Sequence, residues 1–289
     1  STILLGGNSL RAVIDSNGAV FAGVMSGSGG FTKDGPGSLQ LAGSQAFTGR
    51  AKIASGMLLL ASGTSLAQAS RIDVLAGASL DAVSYGPGGL SVVPNQTLGG
   101  YGTIYGDLNL AAGAVLSPGG SVGTLTGDLG TTTWNGGMHF LLEVNDAAGT
   151  PGVSPGWDLF TTTGEISIQS GTAVNERVVI DLASLVGASP GSAANFDPAQ
   201  GYAWRFAVAG VPITTFEPAK FLVDTTNFVN LPGNPERFSV VLGGSESLAG
   251  TDNQALYLVY AAAVPEPGTL ALAGIGLAAA GMALRKRRR

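Results

Sequence analysis

From residue 30 to residue 130 apolar side chains alternate with small or polar ones in short blocks. The blocks lie at residues 38–42, 50–54, 57–60, 71–75, 78–82, 90–93, 103–105, 107–110, 114–116 and 123–126, punctuated by Gly, Ser, Asn or Pro. Period-two alternation over so few positions predicts half-buried strands. No stretch here keeps a helical period. The punctuation recurs too: Gly56 and Gly77 open similar blocks 21 residues apart, and Gly-Asp-Leu occurs at 106–108 and again at 127–129. A degenerate repeat of about 20 residues with two or three strands predicts one turn of a solenoid, whose inward Leu, Ile and Val are covered by the turns above and below. A β-sandwich is the competing architecture, but it calls for longer strands and larger aromatic core residues. This stretch holds only Phe31, Phe47, Tyr85, Tyr101 and Tyr105.

From Trp134 the texture changes. Residues 138–144, 165–168, 177–182, 202–208, 238–242 and 255–260 read as longer strands with more aromatic weight, and all three Trp lie at 134–204. Such a region is expected to close the open end of a solenoid, which otherwise presents unpaired edges. Residues 196–200, and 215–228 around Pro218, are expected to hold a helical turn or two. The chain thus divides into a β-helix at 1–133, a β-rich closing region at 134–260 and a C-terminal tail at 261–289.

Composition narrows the function. Charged residues are 11% of the 289 and Cys is absent, which fits export into an oxidising space. The formal charge of −5 hides an asymmetry: without the five cations of the tail, nine basic groups face 19 acidic ones, a net of −10. An acidic domain repels nucleic acid, so none is expected as a partner. Residue 1 is Ser, and no secretory signal follows it. A mature form, or a fragment of a longer precursor, is expected.

The tail is the sharpest signal. Residues 268–284 are 17 residues without a charge, which as a helix would cover roughly 26 Å, close to a bilayer core. Arg285, Lys286, Arg287, Arg288 and Arg289 follow as a cytoplasmic basic stop. Just before the run, Pro265 and Pro267 fix two φ angles and push their neighbours to extended conformations around Glu266. One transmembrane helix at the C-terminus is predicted, with a stiff, exposed handle outside it.

This arrangement resembles the PEP-CTERM sorting signal of Gram-negative bacteria. The resemblance implies that Pro265, Glu266 and Pro267 are the sorting and processing motif read by an exosortase, a membrane-embedded cysteine protease. It also implies transient anchoring in the inner membrane, then delivery to the cell surface or extracellular polysaccharide matrix. A second resemblance covers residues 30–130. Residues 37–43, 47–49, 54–60 and 77–81, followed by the blocks at 98–104 and 116–125, look like the autotransporter-associated β-strand repeat. That resemblance implies a right-handed parallel β-helix.

Little else carries chemistry. His139 is the one His, and with no Cys there is almost no material for a zinc site or a Ser-His-Asp arrangement. Asp107 and Asp128 could stack one turn apart, but Asp in such a motif more often bonds its own corner. No cofactor or metal is expected. The fold class predicted is all-β: a right-handed parallel β-helix, a β-rich C-terminal region and one transmembrane helix. The function expected is that of a non-enzymatic surface or matrix protein, with extracellular polysaccharide as a further partner. A polysaccharide-active enzyme would instead bring two or more acids together in a flank groove. An adhesin would show an exposed aromatic ladder.

Overall fold

The computed structural model describes residues 1–84, 88–243 and 253–262. The protein is all-β, and most of its strands stack in parallel in the manner of a β-solenoid. The longest sheet runs in parallel through Leu10–Val13, Phe31–Asp34, Arg50–Ile53, Arg71–Val74, Thr97–Gly100, Val115–Pro118 and His139–Val144. It continues into Val178–Val186 and Phe221–Asn227. A second sheet runs from Ala19–Phe21 to Tyr202–Val208 in the same sense. It ends in an antiparallel pair of strands, Ala255–Tyr260 and Phe238–Leu242.

The third face is made twice. Thr2–Gly6, Val24–Gly27 and Ala46–Phe47 form it in the first coils. Leu90–Val92, Leu108–Leu110, Thr132–Asn135 and Ile166–Gln169 form it later. Between the two sets, the buried Leu66 and Ala69 fill the face without a strand. Gln96, itself buried, donates to the carbonyls of both, at 2.8 and 2.7 Å. A side-chain amide thus replaces the missing ladder bonds.

Register makes the core continuous. Ala51, Ile72, Leu98, Leu116, Phe140 and Ile180 lie side by side on successive strands, and each is fully buried. Each large aliphatic or aromatic member contributes about 1.5–3 kcal/mol through burial, so the inward columns rather than the few charges hold the stack together. Trp134 packs against Phe140 and Phe206 at ring-centroid distances of 5.7 and 6.4 Å.

One cation is inside among the described residues. Lys33 is fully buried, and its ammonium donates to the carbonyls of Gly35 (2.6 Å), Gly37 and Ser55 (2.9 Å), clasping the corner between two coils. Burial draws its pKa down, against the opposing fields of Asp34 and Asp15.

The expected repeat is present but uneven. Coil offsets up to residue 139 run from 18 residues (Thr97 to Val115) to 26 (Arg71 to Thr97). They widen to 40 from His139 to Val179. The two Gly-Asp-Leu segments do not stack on one another: Asp128 lies beside Tyr105, an offset of 23. Of the two helical expectations, one fails and the other is met by a single turn. Residues 196–200 form a turn, and 215–228 hold one 3₁₀ turn, Pro218–Lys220, and then a strand, because Phe221 to Asn227 joins the long sheet. Among the described residues no helix is long and apolar enough to cross a membrane; the span expected at 268–284 lies outside them.

Candidate functional site

The parallel register that aligns the core also aligns the outward side chains of the long sheet. Asp73, Gly99 and Ser117 form one outward column, and Arg50 and Arg71 lie side by side in the next. Asp73 is almost wholly buried, and its two oxygens are taken by two guanidinium groups. Arg71 Nε donates to Oδ1 at 2.7 Å and Arg50 Nε to Oδ2. Gly99 makes room for the arrangement: a Cβ there would stand 2.6 Å from Nη2 of Arg71.

Beyond the floor of Gly99 and Ser117 stand Leu141 and Glu143. With Arg50, Arg71, Ser117 and Gly120 they line a recess of about 280 Å³. Burial pushes the Glu143 carboxyl up, while the Arg71 charge pulls it down. Behind it Asp158 is fully buried and accepts the N–H groups of Glu143 and Gly123, both at 2.9 Å. Burial, then the Glu143 charge, hold Asp158 well above the usual carboxylate range.

Two other groups share this face. Asp34 is held at about 2 by the Ser55 hydroxyl, the Gly35 N–H and Arg11. His139 is half-exposed and pairs through Nδ1 with Asp181 at 2.9 Å. Burial raises Asp181 against the His139 charge, and Asp224 on the next strand is lowered by Thr226. Among the described residues no three His, Cys, Asp or Glu side chains are placed to hold a metal.

The acids that the sequence singles out are taken up by local bonds. Asp107 accepts Thr131 N–H at 2.8 Å, and Asp128 accepts Leu129 N–H at 2.9 Å and the Thr163 hydroxyl. Both serve corners. Asp81 bonds Val83 N–H at 2.9 Å in the same way. Arg71 is visible in sequence as a neighbour of Asp73, but Arg50, one coil earlier, is not. Tyr101 is the one aromatic among the large exposed apolar side chains of the described residues. Pro265, Glu266, Pro267 and the basic stop from Arg285 to Arg289 lie outside the described residues.

The decisive match is with the PEP-CTERM protein-sorting motif, over residues 263–289. The chain carries a PEP-CTERM signal. A signal of this kind implies processing by an exosortase and export to the cell surface or beyond. The chain is also 29% identical over 119 residues to the "Adhesin BmaC autotransporter" of Brucella suis biovar 1 (strain 1330). That match takes in 41% of this chain and 3% of the adhesin. It supports the passenger-like reading of the repeats. No solved structure matches the chain.

Proposed function

We propose that this is a non-enzymatic protein of the cell surface or extracellular matrix, delivered by its PEP-CTERM signal. The sorting motif at 263–289 behind a low-charge parallel β-stack is the observation that carries the reading. In it, residues 268–284 form a transmembrane helix that holds the chain in the inner membrane. The cations from Arg285 to Arg289 stay in the cytoplasm, and an exosortase reads Pro265, Glu266 and Pro267 before cutting. Residues 1–133 form the β-helix proper, right-handed as parallel crossovers are, and 134–260 close it. The corner roles of Asp81, Asp107 and Asp128 support a structural over an enzymatic role. The similarity to an adhesin keeps a second reading, attachment to a surface, beside the first.

The test is expression in hosts with and without a functional exosortase. Wild-type protein should shorten and leave the inner membrane only where the exosortase is present, and Pro265→Ala should stay full-length and membrane-bound in both. Unchanged size and location in all four samples would sink the sorting reading.

A further inference from the structure

The recess beside Asp73 has the features of a binding site rather than of a solvated charge cluster. A surface ion pair between flexible chains contributes little and is loosely held. Here one carboxylate, 2% exposed, grips two guanidinium groups by their Nε atoms, while the side chains of Arg50 and Arg71 remain 52% and 32% exposed. The Nη groups of both make no other hydrogen bond or ion pair among the described residues. They are left as fixed donors at the rim of the recess. A guanidinium held by Nε presents its Nη pair as a fork matched to a carboxylate.

The opposite wall differs in kind. Glu143 supplies carboxyl oxygens, Leu141 an apolar surface, and Ser117 a hydroxyl without a hydrogen bond to the described protein. The Glu143 backbone is held in place, since Asp158 accepts its N–H and donates a backbone N–H to its carbonyl at 3.0 Å. A simple inorganic anion would use the donors and gain nothing from an acidic wall. A ligand with one carboxylate and several hydroxyl groups uses both, the carboxylate on the arginines and the hydroxyls on Glu143 and Ser117.

We propose that the recess lined by Arg50, Arg71, Ser117, Leu141 and Glu143 binds a carboxylate-bearing sugar unit of an acidic polysaccharide. The export reading supplies its setting, and binding to the purified protein is measured independently of sorting, so either can fail alone.

The experiment is calorimetric titration of the purified 289-residue chain, held in detergent, against three probes. These are an oligogalacturonate, a neutral galactose oligosaccharide of equal length, and inorganic sulfate. The acidic oligosaccharide should bind, more weakly as salt rises, with at least roughly tenfold preference over both others. Arg71→Lys keeps the charge and loses the fork, and should weaken binding roughly tenfold or more with the melting temperature retained. Glu143→Ala should narrow the preference for the acidic sugar over sulfate. Equal binding of sulfate would mean an unspecific anion patch and overturn the sugar assignment. Equal binding of the neutral sugar, no binding at all, or an Arg71→Lys protein that binds as wild type would overturn the site.

Discussion

Asp158 is a carboxyl whose pKa the fold pushes up. Burial and the neighbouring Glu143 raise its pKa, while the unfolded chain releases the proton near the ordinary value of 3.8. Between those two pKa values the folded state binds more protons than the unfolded one. Its contribution is therefore fully present below the unfolded pKa and falls by about 1.4 kcal/mol per pH unit as pH rises through the window. Asp158→Asn cannot titrate and so has no such slope, although its amide keeps only one of the two N–H bonds that the carboxyl accepts. Denaturant midpoints of the two proteins at pH 5 and pH 7 should show the variant gaining on wild type at the higher pH; parallel curves would refute the assignment. Asp34 works in the opposite sense, since its folded pKa of about 2 is depressed and its contribution is lost as pH falls toward that value. None of this is readable along the chain. Asp158 stands between Trp157 and Leu159 and Asp34 between Lys33 and Gly35, and only the coil that closes over each decides the sign. The same holds for Arg50, whose distance of 23 residues from Asp73 is one coil in space.

Strands were the legible element, because each four-residue block had to hide every second side chain. Arg50–Ile53, Met57–Leu60, Leu108–Leu110 and Phe238–Leu242 fall where the alternation puts them. The first coils are harder to read, since apolar residues also point outward there: Leu4 is 81% exposed, and Val13 and Val20 more than half. Phe221–Asn227 escaped notice because Pro218 opens a turn directly before it. The corners set a further rule. At Gly100 φ is +112° and a Cβ would run into the carbonyl of Val74, whereas at Gly63 φ is +79° and the space is open. Gly63→Ala should cost about 1 kcal/mol of backbone strain alone. Gly100→Ala adds a clash across two coils and should cost roughly 3 kcal/mol or more. Thermal unfolding of the two variants reads the difference, and equal losses would mean that the Gly100 corner has slack.

At the scale of the molecule, the stack is nearly one-dimensional, and each coil leans on its neighbours. Coils in the middle are covered on both sides; among the described residues the coil with strands Thr2–Gly6, Leu10–Val13 and Ala19–Phe21 has a neighbour on one. Amide hydrogen exchange on the 289-residue chain should therefore be fastest in those strands and slowest from Thr97–Gly100 to His139–Val144. Uniform protection would show that the coils open only together. The other end is built differently. Ala255–Tyr260 is bonded on one side to Tyr202–Val208 and on the other to Phe238–Leu242, both antiparallel, and all six of its residues are buried. Arg237 then grips Ala261 twice, accepting its N–H and donating to its carbonyl, each at 3.0 Å, just before the chain runs on to the sorting signal. A pull on the tail would thus travel along a strand clamped from both edges. Its ladder bonds would carry the force together in shear, where an edge strand would unzip one bond at a time.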